Sequence, residues 1–501
     1  MLSRGKVVLF YPAYEGPPLS APTCLLSLAA TLRTHDYTVV VIDAAIAPDY
    51  RQRIEKEIGD ALCLGISALT GPMIYGAIEA AKLAKKLRPT MPVVFGGWHP
   101  TLTTDQTLAE PYVDYVVRRQ GDASFLELVE ALSVERNGQF IAGLSWKPDG
   151  KIEHNVERRI QSLDELPVPA YELVDFDAYE RVCGERTLAY ATSVGCPYAC
   201  NYCTDTVFYK RRFHSLSATR VVEEMTSLAA RYRIAEIALL DSNFPVDLRR
   251  AIAIAKGICD SGVQFRWTFQ ASTDFLSRMS DDEVLMLRRS GVTHMGFGTE
   301  STSEAVLKAM NKRHQHMNEV HETARKAHNA GIRVTFNLIF GYPGETEEDR
   351  TQTLRTMGEI AREFSSVSFS PNVFTPYPGI PIWPQLREMG VREPQSLLEW
   401  AQLPLGTNVL PWLQGRDLAR LQRMLSFFLL NSDLRKSKSK WTLGARAVRR
   451  IVRDPVRWRI RKSKFSFPWE LWLARTTGGW TERRSLVTGE RLPQQTVAVC
   501  N

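Results

Sequence analysis

Leu188-Ala189-Tyr190-Ala191-Thr192-Ser193-Val194-Gly195-Cys196-Pro197-Tyr198-Ala199-Cys200-Asn201-Tyr202-Cys203 is an apolar strand that runs directly into three cysteines. Their intervals of three and two residues offer three thiolates to one metal cluster at a strand's carboxyl end. A four-iron cubane held by Cys196, Cys200 and Cys203 keeps one iron without a protein ligand, which makes the site chemical rather than structural. The competing reading is part of a zinc site with His214 as a fourth ligand. Zinc sites usually pair two close-spaced knuckles, whereas Cys24, Cys63, Cys183, Cys259 and Cys500 are solitary. Cys63 and Cys259 lie in apolar patterns and read as small core residues. Eight cysteines in 501 residues, with no secretory apolar stretch over 1–14, point to a reducing cytoplasm.

Downstream of the cysteine loop the strand at 187–192 is followed by strand patterns at 236–240, 264–270, 294–297, 332–340 and 367–373. Helical stretches at 218–231, 249–260, 281–290, 317–330 and 347–364 separate them. Six strand-helix units predict an open (βα)6 barrel whose chemistry sits at the C-terminal rim of the strands. Upstream, strands at 6–11, 37–42, 61–67, 92–95 and 113–117 alternate with helices at 21–33, 73–86 and 123–132, the rhythm of a doubly wound parallel sheet. The chain is therefore α/β. Its expected parts are a Rossmann-like domain at 1–145, a linker at 146–186, the barrel at 187–380, a helical cap at 381–434 and a basic, aromatic C-terminal region at 435–501.

Doubly wound sheets bind ligands at the carboxyl ends of their strands, so the residues just after each strand are the candidate contacts. Ser67-Ala68-Leu69 follows the third strand, and Gly96-Gly97 follows the fourth and continues as Trp98-His99. A serine hydroxyl there can bond a buried polar ring, and paired glycines let a large nucleotide tail approach the backbone. His99 is either a ring near that ligand or a solvated turn histidine.

No apolar run approaches the roughly 20 residues that span a bilayer. The net charge of +8 belongs to one segment, since 435–464 carries thirteen Lys or Arg against Asp454 alone. Arginines alternate there with apolar and Trp positions, and Trp469 and Trp472 follow. Such a segment can lie in an anionic lipid interface or can be a solvated basic face packed on the barrel. Nucleic acid is not an expected partner, because no recognition fold accompanies the charge.

The Cys-x3-Cys-x2-Cys loop, with Tyr202 before the last cysteine, resembles the radical S-adenosylmethionine (SAM) superfamily. The resemblance implies that Cys196, Cys200 and Cys203 hold a [4Fe-4S] cluster, that SAM binds the open iron, and that one electron cleaves SAM to a 5'-deoxyadenosyl radical. An external electron donor of flavodoxin or ferredoxin type is implied with it. In that family Tyr202, Asp241, Asn243, Gln270, Glu300 and Asn337 correspond to the SAM site. Gly298-Thr299-Glu300-Ser301 resembles the family segment whose carboxylate contacts SAM, and Gly341 to Thr346 the stretch that shapes the adenine and ribose pocket. Read without the family, Asp241 or Asn243 is a helix N-cap and Glu345 joins Thr346 in capping the next helix. The loop around Pro376 and Pro378 is a substrate wall, or else closes the barrel against the next domain.

The N-terminal residues resemble the later two-thirds of a cobalamin-binding fingerprint, which implies cobalamin contacts at Ser67, Leu69, Gly96, Gly97 and His99. The first third, an Asp-x-His-x-x-Gly loop, is absent: Pro12-Ala13-Tyr14-Glu15-Gly16-Pro17-Pro18 has no histidine to ligate cobalt. The combination resembles the cobalamin-binding radical SAM subgroup. It implies methyl transfer to an unactivated carbon of a small secondary-metabolite or lipid-like molecule, with a ring-forming or ring-rearranging oxidoreductase acting on a tetrapyrrole-like substrate as the alternative. A non-catalytic corrinoid and iron-sulfur binding protein is the third reading. A methylthiotransferase does not fit, because no second cysteine trio exists.

Overall fold

The computed structural model describes residues 3–13, 21–403, 410–435, 443–462 and 464–476. Its N-terminal sheet contains β1 (Lys6–Tyr11), β2 (Thr38–Asp43), β3 (Ala61–Ser67), β4 (Val93–Gly96) and β5 (Tyr115–Val117). They pair in parallel in the order β2-β1-β3-β4-β5. The order reverses between β1 and β3, the point at which sheets of this kind bind ligands outside the carboxyl ends of their strands. Most of the loop after β1, including Tyr14 to Pro18, lies outside the described residues.

The segment expected to be a linker does more than connect. β6 (Leu144–Trp146) and β7 (Glu153–His154) add two antiparallel strands to the N-terminal sheet. A turn at Asp149 and Gly150, both with positive φ, reverses the chain between them. The rest of the segment is pinned: Tyr171 Oη donates to Ala189 O at 2.6 Å, and Tyr179 Oη donates to the Asp43 carboxylate. Buried tyrosines thus fix the path of this segment against both sheets.

The second sheet has the order β15-β14-β13-β12-β11-β8, all parallel. Its strands are β8 (Thr187–Tyr190), β11 (Glu236–Leu239), β12 (Arg266–Ser272), β13 (Val292–Glu300), β14 (Arg333–Phe340) and β15 (Val367–Val373). Between β8 and β11, β9 (Ser193–Val194) and β10 (His214–Ser215) form a small antiparallel pair. This is the expected open (βα)6 barrel. Trp267, Phe269, Phe297, Phe336 and Phe369 point outward into the core beneath the helices. The alternate positions of β14 and β15, namely Thr335, Asn337, Ser368, Ser370 and Asn372, face the lumen and stay partly exposed.

The expected cap bridges the two domains instead of merely covering a site. Trp400, at the end of helix Leu397–Ala401, donates its indole N–H to Gln106 Oε1 at 2.7 Å and packs edge-on against His99. Helix Gly415–Arg435 runs against β15, and helix Leu443–Lys462 packs beside Glu347–Glu363. The last helix among the described residues is Trp469–Thr476. Among the described residues no helix is long and apolar enough to cross a membrane.

Candidate functional site

The cysteine loop is aimed by a buried acid. Asp241, just past β11, accepts from Thr192 N at 2.7 Å and Thr192 Oγ1 at 2.6 Å, and from the Ser193 hydroxyl. Burial pushes its carboxyl up, while these donors pull it back toward the charged form. Both oxygens are thus spent inside the protein. This corrects the assignment of Asp241 to the SAM ammonium: the residue anchors the turn from which the loop leaves. It is not an N-cap either, since Asp247 caps the following helix, Leu248–Ser261.

Gly195 opens the loop at φ +78°, and a Cβ there would lie 2.1 Å from the Arg212 carbonyl oxygen. Only glycine fits. The far side of the loop is sewn to the end of helix Glu304–Ala309: Asn201 Nδ2 donates to Ala309 O and Asn311 Nδ2 to Ala199 O, each at 2.8 Å. Tyr342 Oη donates to Asn201 Oδ1 at 2.5 Å, and Ile382 N donates to Asn201 O at 3.1 Å. The segment after β15 therefore clamps the loop, with Ile380 and Ile382 buried, rather than serving only as a substrate wall.

Burial raises all three thiols, and Cys203, also near Asp205, is pushed up to about 12. Cys196 and Cys203 also feel the charge of Cys200, whereas Cys200 itself lies between Lys312 and Glu300. Among the described residues no three Cys, His, Asp or Glu side chains close on a single ion. His214 sits in β10 opposite Val194, with its Nε2 buried and without a partner. A donor set of three cysteines on one loop, without a fourth protein ligand, has the chemistry of a cubane with one open corner.

Behind the loop stands a triad that includes one residue the sequence did not reveal. Glu300 Oε1 accepts from Tyr202 Oη at 3.0 Å and from Lys312 Nζ at 3.1 Å. Burial alone would lower the Lys312 ammonium, but Glu300 and Cys200 outweigh it and the pKa rises. Glu300 holds a left-handed φ of +60° at an irregularity in the β13–β14 register. Gly298 makes room for the pair, because a Cβ there would lie 2.7 Å from Glu300 Oε1. Lys312 lies in a run, Asn311-Lys312-Arg313-His314, that reads as surface. Tyr198 likewise escaped notice; its ring stacks on His314 with centroids 3.5 Å apart.

Asn243 is brought to the same place. Its Oδ1 accepts from Ser272 N at 3.1 Å, and its side chain bonds the Cys196 thiol. Deeper in the lumen, Asn337 Nδ2 donates to Gln270 Oε1 at 3.4 Å, and the Gln270 amide lies over Gly296. Glu345 does not cap a helix; Thr346 does, in a capping box with Asp349. The Glu345 side chain is buried near Gly341, which raises its carboxyl to about 7, and its Oε1 has no partner.

At the carboxyl edge of the other sheet, Ser67 pairs in register with Gly96. Gly97 has φ +89°, and a Cβ there would meet Ser67 Oγ at 2.7 Å, so the glycine keeps a cradle open beside the serine. Leu69 is half-buried with its N–H directed to Met73 Sδ at 3.4 Å. His99 is neither a solvated turn residue nor a free ligand. Its ring is fully buried, with Nδ1 3.0 Å from Thr70 Oγ1 and Nε2 3.2 Å from Thr103 Oγ1, and burial lowers its pKa to about 3. Both nitrogens are occupied, which corrects its assignment to the corrin. Its neighbour Trp98 turns the other way. It stacks on Phe208 at 4.2 Å and meets Tyr209 edge-on, five and six residues after Cys203.

Comparison with known proteins agrees with this geometry. Residues 190–357 match the radical SAM superfamily and residues 5–129 the B12 binding domain. The chain is 32% identical over 392 residues to an uncharacterized methyltransferase of Pyrococcus horikoshii, covering 75% of this chain and 82% of the relative. It is 25% identical to the anaerobic magnesium-protoporphyrin IX monomethyl ester cyclase of Rubrivivax gelatinosus, covering 74% and 68%. Among solved structures, the radical S-adenosylmethionine methyltransferase TsrM of Kitasatospora setae, with cobalamin and a [4Fe-4S] cluster bound, has a TM-score of 0.67 at 19% identity. That match covers 78% of this chain and 76% of TsrM, a likeness of fold.

Proposed function

This chain belongs to the radical SAM superfamily and carries a B12 binding domain, and we propose that it transfers a methyl group to an unactivated carbon of a small molecule. Its cofactors are a [4Fe-4S] cluster, SAM and cobalamin. When bound, they supply a hydrogen-abstracting radical and a transferable methyl group. The observation that carries the proposal is the Trp98–Phe208 stack, which joins the residue after the Gly96-Gly97 cradle to the helix after the cysteine loop. Two sites held this rigidly are suited to serve one substrate between them.

We assign Cys196, Cys200 and Cys203 to the cluster, and Ser67, Leu69, Gly96 and Gly97 to the corrin and its nucleotide tail. Asn243, Glu300 with Lys312, and Tyr202 frame the polar end of SAM. Gln270 and Asn337 offer amides to its nucleoside from the lumen wall. Anaerobic reconstitution with iron, sulfide and hydroxocobalamin, followed by mass analysis of extracts, tests the reading. A product heavier by one methyl in place of hydrogen supports it. A product lighter by hydrogens assigns ring formation instead, and failure to retain corrinoid removes the methyltransferase.

The basic C-terminal region supports a second, separate reading. Helix Leu443–Lys462 buries Val448, Val452, Val456 and Ile460 at spacings of four, which is a packing stripe. Trp458, Trp469 and Trp472 are nevertheless 45%, 45% and 65% exposed, and Arg450, Arg453 and Arg457 on the same helix as Trp458 are exposed as well. We propose that this face touches anionic lipid. Trp458→Ala/Trp472→Ala should lower binding to phosphatidylserine vesicles severalfold; unchanged binding would refute it.

A further inference from the structure

A cavity of about 1390 Å³ lies between helices Glu347–Glu363, Gly415–Arg435 and Leu443–Lys462. The first of these helices ends just before β15 begins at Val367, and its last turn forms one wall, so the cavity sits at the amino-terminal end of the barrel strands. The cysteine loop follows the carboxyl end of β8, at the opposite rim. Six arginines line the cavity, Arg362, Arg449, Arg450, Arg453, Arg457 and Arg461, against two carboxylates, Glu363 and Asp454. Asp454 is shared by Arg453 at 3.2 Å and Arg457 at 3.9 Å, and Glu363 lies 2.9 Å from His321 Nε2. Among the described residues Arg362, Arg450 and Arg461 make no ion pair. The helix that carries most of these arginines is locked in place: Arg449 donates to Leu434 O, and buried Arg459 donates to the Glu470 carboxylate and to Phe467 O at 2.8 Å.

Beneath the arginines the lining turns apolar, with Leu434 and Ile460 buried, and one polar group interrupts it. Asn431 also lines the cavity, is only 9% exposed, and has its Oδ1 buried without a hydrogen-bond partner. A bare acceptor in such a place is costly unless something in the cavity donates to it. Guanidinium forks match phosphate oxygens two at a time, and so large an excess of cations suits a dianion better than a single carboxylate. We propose that the cavity binds a phosphate ester that carries a hydroxyl group, with the phosphate among Arg362, Arg450 and Arg461 and the hydroxyl on Asn431 Oδ1. Such a group comes as a free phosphate ester or as the headgroup of a phospholipid. The proposal does not depend on the reaction at the cysteine loop.

The test measures binding of two probes to the full-length protein: glycerol 3-phosphate by calorimetry, and phosphatidylcholine vesicles containing phosphatidylglycerol by flotation. Wild type should bind glycerol 3-phosphate saturably. Arg362→Gln/Arg461→Gln should weaken its Kd about tenfold or more, and Asn431→Leu severalfold. Arg288→Gln/Arg289→Gln, equally exposed at the end of helix Asp281–Arg289, should leave it unchanged. If only the vesicles bind, and the same cavity variants weaken that binding, the headgroup is the source and the site stands. The proposal is overturned if wild type binds neither probe, if the cavity variants bind as tightly as wild type, or if the Arg288 and Arg289 variant weakens binding equally. Asn431→Leu should also raise the melting temperature of the ligand-free protein, because it removes a buried acceptor that lacks a partner. A lower melting temperature would show that the amide is satisfied within the fold and would overturn the hydroxyl assignment.

Discussion

The two sheets of this chain share a parallel, helix-crossed rhythm but offer their ligands different surfaces. The N-terminal sheet is buried on both faces, by Val8, Phe10, Ile66 and Phe95 on one side and by Val7, Leu9, Cys63 and Val94 on the other. Only its carboxyl edge is left for polar recognition, and there Ser67 and Gly97 stand. The barrel sheet is buried on its outer face alone, so its lumen carries a ladder of Thr335, Asn337, Ser368 and Ser370. An edge site depends on glycine geometry. An interior site depends on side-chain alternation and buried charge.

The comparison breaks most completely at the cysteine loop. Cys200→Ala should abolish the cluster's visible absorption and SAM cleavage while leaving the corrin spectrum intact, because the stack that joins the two sites runs through Trp98 and Phe208 and not through Cys200; loss of both spectra would refute that independence. Next in size is the buried pair behind it. Lys312→Met leaves Glu300 uncompensated and should cost about 3–5 kcal/mol in urea unfolding. Adding Glu300→Leu should recover most of that stability but not SAM binding.

At the edge, Gly97→Ala forces a strained backbone and an overlap with Ser67 Oγ. It should cost about 2 kcal/mol and weaken cobalamin retention, read as bound corrin absorbance after gel filtration. Cluster content should stay as in wild type, since the cradle and the cysteine loop belong to different sheets.

The smallest effect is a pH slope. Glu345 titrates near 4.5 when unfolded and about 7 when folded, so the folded state binds the extra proton. Its contribution is fully present below pH 4.5 and is lost as pH rises through 7. Glu345→Gln should flatten that part of the stability curve by on the order of 1–2 kcal/mol, measured as the difference in melting temperature at pH 5 and pH 8.

Much of the fold was legible because its signals are local. The strand-helix alternation, the Cys196 spacing and the Gly96-Gly97 pair all appear within short windows. Glu300 was legible through its Gly298 partner, and the structure supplies the reason in the space that pair needs. Lys312 and Tyr198 were not, because a lysine in a polar run and a tyrosine beside a proline look like surface until another segment folds over them. Asp241 and His99 misled for the opposite reason. Polar residues at strand ends resemble ligands, but here each finds protein partners within 3.2 Å.

By itself the sequence determined which donors the chain owns: three cysteines on one loop, a serine and two glycines at strand ends, and a basic, tryptophan-bearing C-terminal region. Those choices are covalent, and their spacing restricts the chemistry before folding begins. The tertiary structure decided which polar groups remain free. Burial makes every lone pair and proton seek the nearest partner, so Asp241 was consumed by Thr192 and Ser193 while Asn243 and Glu300 were brought to the cysteines. It also decided that Trp98, one residue past the glycines, would rest on Phe208, since only packing of the two sheets could bring the edge site and the interior site together.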